Sequence, residues 1–291
     1  MADTSAQAEI RKIDIDKLAK GFADEELVLK RFVTVSPTSA REIRWYQKTA
    51  GFLDSTDTSD ITTSQIANVA FKARPVVVEQ SWTRKASYVR KYFVESPWIS
   101  EEDIKDCDLD ILATNVRDLV SAVSNQTEIR IYDSITGDAS INTSASTQTG
   151  WDDTTSGNPI LDIMTMKEGI RNYRYNPEGA ILYIHTAEHK HLLNFLISVK
   201  GSSIPNFASQ KVETGVVMEL LGCKVVVSIN ATTDQALLFV PGRTATWKQF
   251  VPITSAIITD VGIGRKIRVW EEGECIVTDP RAAYKLTDTL T

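Results

Sequence analysis

DLDILATNVRDLVSAVSNQTEIRIYDSITGD, Asp108 to Asp138, carries apolar side chains at Ile111, Leu112, Val116, Leu119, Val120 and Val123, the spacing of one helical face. This predicts a helix from Leu109 to about Tyr132, roughly 35 Å long at 1.5 Å per residue, with Gly137 as its stop. Such a helix is longer than most globular helices, so the rest of the chain must be arranged along it. Just upstream, Ser100-Glu101-Glu102-Asp103 offers a capping hydroxyl and first-turn acids, where the helix dipole favours negative charge.

Before that helix, REIRWYQKTAGF (Arg41 to Phe52) reads as a strand, and Val76 to Val94 is a second run dense in β-branched and aromatic residues. Between them, Leu53 to Asn68 is rich in Ser, Thr and Asp and reads as a polar tip. The pair forms an extended hairpin, which needs a neighbour to lie on because isolated hairpins are marginal in water. Residues 1 to 40 read as an arm with an amphipathic segment from Ile13 to Phe32 and a break at Ser36-Pro37. Its apolar positions, Ile15, Leu18, Leu27, Leu29 and Phe32, are too sparse for a core of their own, so the arm packs on something else.

After the helix, Ala139 to Pro159 is a polar loop of a length expected to be functional or mobile. A compact α+β pattern follows. Pro159 opens a helix through Tyr173, Ala180 to Ile184 is a strand, Thr186 to Val199 is a helix, and GSSIPNFASQ from Gly201 is loop. Short strands are expected at Lys224 to Ser228, Ala236 to Val240, Ile253 to Thr259, Lys266 to Glu271 and Glu274 to Asp279. No internal repeat or low-complexity tract occurs.

At 291 residues, 42% hydrophobic and 24% charged, the chain can bury a sizeable core. Its net charge of -6 argues against a protein that neutralises many phosphates through a basic surface. Cys107, Cys223 and Cys275 are odd in number and far apart, which suggests neither a disulfide framework nor a zinc site and fits a reducing cytoplasm. The N-terminus lacks the apolar core of a signal peptide, and no stretch approaches the roughly 18 apolar residues of a membrane helix.

Three segments, in their order and spacing, carry a resemblance: ESPWISEEDIKDCDLDILATNVRDLVSAV; NPEGAILYIHTAEHKHLLNFL; and LLGCKVVVSIN followed by ALLFVPGR. Together they resemble the Hong Kong 97-type capsid fold, the α+β fold of tailed-virus major capsid proteins. That resemblance implies an N-terminal arm at 1–40, an extended loop (β-hairpin) and its base at 41–95, and a peripheral domain with the spine helix at 96–158. An axial domain at 159–251 and a return to peripheral strands at 252–291 complete it. It further implies hexamers and pentamers of an icosahedral virion shell, assembled in the host cytoplasm around double-stranded DNA without sequence-specific contacts. Separate scaffolding, cement and portal proteins are the expected partners, with no membrane, cofactor, metal or catalytic site.

The inter-subunit contacts are then expected at Trp45, Phe52, Trp82, Arg84, Lys85 and Trp98, since aromatic and basic residues dominate interface energetics. For Trp98, burial in the subunit's own core competes. Some family members weld neighbours by an isopeptide bond from a loop Lys to a late Asn. Lys48 and Lys72 are candidate donors, but no Asn follows Asn230, so a non-covalent shell is expected. The rival reading within the fold is an encapsulin-like cellular compartment.

Rival chemistry is weak. His185-Thr-Ala-Glu188-His189 matches the HxxEH pattern of a zinc hydrolase, but His185 ends a strand and Thr186 is the expected cap, so the two imidazoles do not share a helical face. Gly262-Ile-Gly264-Arg265-Lys266 reads as a turn between strands rather than a phosphate loop. Glu271, Glu272 and Glu274 around Gly273 read as a solvated hairpin turn rather than catalytic carboxylates. The run Arg84, Lys85, Arg90, Lys91, interleaved with Trp82, Tyr88 and Tyr92, is expected to pair with acids of neighbouring subunits, with a nucleic-acid surface as the alternative.

Overall fold

The computed structural model describes residues 29–50, 70–74, 81–106, 111–199 and 219–290. Its strands are β1 (Thr34–Pro37), β2 (Glu42–Ala50), β3 (Ser81–Tyr88), β4 (Arg90–Glu95), β5 (Ile99–Ser100), β6 (Asn142–Ala145), β7 (Ile181–Ile184), β8 (Glu219–Leu220), β9 (Cys223–Val227), β10 (Gln235–Phe239), β11 (Ala245–Asp260), β12 (Gly264–Val277) and β13 (Ala283–Thr287). The α-helices are α1 (Glu101–Asp106), α2 (Ile111–Thr136), α3 (Pro159–Asn172) and α4 (Thr186–Asn194). The expected tip at Leu53 to Asn68, the loop from Gly201, Cys107 and most of the arm lie outside the described residues. No described helix is long and apolar enough to cross a membrane.

The chain divides into two compact units. The first takes its residues from Met1–Ile43, Ala86–Ile131 and Trp247–Ile276, the second from Arg44–Lys85, Tyr132–Thr246 and Val277–Thr291. In the first, strands run β1-β11-β12-β4, with β5 also on β12. The apolar stripe of α2 explains its position: Val116, Val120 and Val123 are buried against Ile267 and Val269 of β12, flanked by Tyr92, Val94, Leu112, Leu119, Ile253 and Ile257. Each such side chain contributes about 1.5–3 kcal/mol of burial. Leu29, from the expected arm, is fully buried, and β1 pairs in this sheet up to Pro37, an edge position that tolerates the missing N–H.

In the second unit a mixed sheet runs β6-β13-β10-β7-β9-β8, parallel at β6/β13 and β7/β9 and antiparallel elsewhere. Its central strand β7, ILYI, is buried at all four positions, which is why it reads as a continuous apolar run rather than an alternating one. Ile163, Met166 and Ile170 of α3 and Leu192 of α4 join Leu182, Ile184, Ala236 and Leu238 in one core. Asn158 caps α3 by accepting the Leu161 N–H, and Pro159 fills the first turn, where a missing N–H costs nothing.

The structure corrects four expectations. First, α2 runs one turn past Tyr132, because Ile131, Tyr132 and Ile135 prolong its buried face. It stops at Gly137, where a Cβ would lie 2.8 Å from the Asp133 carbonyl oxygen. Second, the loop from Ala139 to Pro159 is organised: β6 pairs with β13, and the fully buried Asp162 accepts hydrogen bonds from Ser146, Thr147 and the Trp151 indole. Third, the described part of Val76 to Val94, from Ser81 on, is two strands with different partners, β3 on β2 and β4 on β12, divided at Val89, whose N–H donates to the Arg41 carbonyl. Fourth, Lys266 to Asp279 is no hairpin; β12 passes straight through Gly273. A smaller difference is that α4 ends at Asn194 and widens into a π turn over Phe195–Val199.

Candidate functional site

The hairpin β2–β3 is fastened at its root within the second unit. Strand alternation turns Ile43, Trp45 and Gln47 to one side, and Gln47 is fully buried there. Its amide donates to Asp138 Oδ2 (3.1 Å) and to the Val277 carbonyl (3.4 Å), and the Trp45 indole N–H donates to the same carbonyl at 3.1 Å. From β3, the Lys85 ammonium lies 2.7 Å from Asp138 Oδ2. Burial alone would raise the Asp138 carboxyl, but Lys85, the Ser140 N–H and Gln47 together hold it below the ordinary aspartate value.

That depression fixes the sign of a pH effect. Stability from Asp138 is fully present above the ordinary aspartate pKa of about 3.9 and is lost as pH falls through the lower folded value. The β2 and β3 amides should keep their exchange protection at about pH 5 and lose it below about pH 4, and Asp138→Asn should abolish that dependence. Protection that is flat across this range would refute the clamp.

The six expected contact residues separate accordingly. Trp45 and Lys85 serve the root of their own hairpin. Trp82, 56% exposed, and Arg84, also exposed, are open to solvent on β3. Phe52 lies outside the described residues. Trp98, in the first unit, is 43% exposed beneath the Lys266 ammonium, 4.9 Å from its ring, so it is not a core residue. Tyr46 and Tyr88 add further exposed aromatics on the hairpin strands. The sequence reasoning missed Gln47 and Asp138, although Gln47 shares the alternation of Ile43 and Trp45.

The basic run also finds acids inside its own chain: besides Lys85 with Asp138, Arg90 lies 3.3 Å from Glu274 and Lys91 3.6 Å from Glu272. Lys85, Arg90 and Lys91 each therefore have an acidic partner within their own chain. Glu271, Glu272 and Glu274 are buried in mid-strand, not solvated. Glu271 accepts from Lys30, from Thr127 Oγ1 (3.2 Å) and from Gln249 Nε2 (3.4 Å). Glu272 also meets Arg41 at 3.3 Å, and the Arg130 guanidinium grips Glu274. Gly273 is there because the buried Trp247 ring occupies the space a Cβ would need. With each carboxylate held by cations, the cluster ties β4, α2, Lys30 and Arg41 to β12 rather than facing a cleft.

At the HxxEH segment, His185 itself is the cap, not Thr186: its Nδ1 accepts the Ala187 N–H at 3.2 Å. Glu188 is fully buried and accepts from the Asp234 N–H (2.6 Å) and the Thr289 hydroxyl. Burial holds the His189 imidazole below its ordinary value. Among the described residues no three His, Cys, Asp or Glu side chains gather as a metal site.

A family model described as phage capsid protein matches residues 98–286, well over half the chain. No curated protein matches the sequence. The capsid of cyanophage P-SCSP1u is similar in structure, with a TM-score of 0.64 at 11% identity over 90% of this chain and 88% of that one. So is a virus-like particle from Pyrococcus furiosus, with a TM-score of 0.61 at 13% identity, 94% and 97%. A chain of Mycobacterium phage Che8 gives 0.58 at 14% identity, 87% and 86%. At such identities these structures establish the fold, and the family model establishes the family. The chain belongs to the phage capsid protein family and has the Hong Kong 97-type α+β fold.

Proposed function

We propose that copies of this chain form hexamers and pentamers of an icosahedral virion shell around double-stranded DNA, each laying its hairpin and arm on neighbours. The observation that carries this is the hairpin: two strands fixed at the root by Trp45, Gln47 and Lys85, with Tyr46, Trp82 and Tyr88 between 56% and 67% exposed. Tyrosine and tryptophan are enriched where protein surfaces meet. In this reading 1–40 is the arm, 41–95 the extended loop and its base, 96–158 peripheral, 159–251 axial and 252–291 the return to peripheral strands. Assembly takes place in the host cytoplasm, helped by separate scaffolding, cement and portal proteins. The family match does not favour the encapsulin-like compartment.

Negative-stain microscopy of the concentrated pure protein tests this reading. Closed polyhedra or rings of five or six support it; a persistent monomer sinks it. Denaturing gels of the shells should show single chains, since no Asn follows Asn230, and a ladder of covalent oligomers would contradict that. Arg84→Glu isolates the assembly role because, unlike Lys85, Arg84 is exposed. It should leave the melting of the unassembled chain unchanged, within about 0.5 kcal/mol, and cut shell yield. Normal yield with less retained DNA would instead favour the nucleic-acid reading.

A further inference from the structure

In the second unit a groove of about 510 Å³ opens between the turn after α2, the C-terminal end of α3 and the start of β13. Of its nine lining residues one, Arg281, is a cation and none is acidic. The site is built rather than incidental. The Arg281 guanidinium donates to Asn142 Oδ1 at 2.6 Å and lies 4.7 Å from the Tyr173 ring centroid, while Asn142 is 8% exposed. On the other wall, the Tyr284 ring lies against Gly169, where any Cβ would collide with it. A guanidinium held over an aromatic ring offers a fork of donors whose geometry suits a carboxylate.

We propose that this groove receives an aspartate side chain from the hairpin segment of a second copy, between Lys48 and Lys72. Across those 23 intervening residues the only charges are Asp54, Asp57 and Asp60, so three acids and no base face a lining of one cation and no acid. Phe52 and Leu53 beside the first aspartate supply apolar surface of the kind that packs on Tyr173 and Tyr284. The inference rests on the reading that copies of the chain assemble, and it identifies where one copy's hairpin lands on the next.

The test uses the unassembled full chain and a synthetic peptide of residues 49–71, beside the same peptide with all three aspartates changed to asparagine. The wild-type peptide should bind, and at least tenfold more weakly both when the aspartates are removed and when the chain carries Arg281→Gln. No binding, or equal binding by the two peptides, overturns the proposal without any change to the protein's fold. Cryo-electron microscopy of shells gives the second readout: density continuous with a neighbour's β2 within reach of Arg281 supports it. An empty groove, or one filled by the same copy's hairpin, refutes it while leaving shell formation intact. Failure to form shells refutes the assembly reading instead.

Discussion

Replacing Glu271 with alanine should destabilise the unassembled chain by about 3–5 kcal/mol and lower its melting temperature by on the order of 10 °C. The carboxylate is fully buried, and the Lys30 side chain that meets it is only 10% exposed. Removing the acid leaves an ammonium held near the Trp247 ring with no counter-charge from Glu271, and takes an acceptor from Thr127 and Gln249. The stranded cation, more than the lost attraction, sets the cost, because desolvating an unpaired charge is the larger penalty. A second variant separates the two contributions. Adding Lys30→Met to Glu271→Ala removes the stranded charge and should recover more than half of the loss, read from paired thermal and denaturant melts. A double variant no more stable than the single one would assign the cost to the cavity left by the side chain instead.

The same cluster shows where the sequence ceases to be legible. Periodicity reveals elements whose reason for existing is local: the face of α2 from Leu112 to Val123, the Asn158-Pro159 start of α3, the unbroken ILYI of β7. Each of these is fixed by neighbours within a few residues. Glu271-Glu272-Gly273-Glu274 has the composition of a turn, and only cations up to 241 residues away in the chain make it a buried strand. Gly273 misled for the same reason, since a glycine that opens a turn and one that makes room for a distant tryptophan look alike. In Val76 to Val94 both halves have strand composition, so nothing local marks Val89 as the place where the partner changes from β2 to β12. The hairpin itself was legible and its root was not, because Asp138 lies beyond the helix that follows. Trp82 and Arg84 were readable as outward residues, whereas Trp45 and Lys85 have the same residue types and face inward to fixed partners.

Asp162→Ala should unfasten the segment from Ser146 to Asn158 and cost on the order of 2–4 kcal/mol. Asp162 gathers four donors: Ser146 Oγ at 2.7 Å, the Thr147 N–H at 2.9 Å, Thr147 Oγ1 at 2.6 Å and the Trp151 indole at 2.7 Å. The donors do not suffer equally. Thr147 is exposed and Ser146 half-buried, so water can replace the carboxylate for them, whereas the Trp151 ring is buried with Ile163 and Met166 and its N–H would lose its partner in a dry core. Asp162→Asn should therefore be almost as damaging, because one carboxylate oxygen becomes an NH₂ facing other donors. Hydrogen exchange across residues 146–158, with β7 as the internal reference, distinguishes this local release from global loss. Combining Asp162→Ala with Trp151→Phe removes the stranded indole N–H along with its acceptor, and should cost less than the sum of the two single changes by about 1–2 kcal/mol. Strict additivity would show that the indole is not held by Asp162 and that the loop is ordered by the β6–β13 pairing alone.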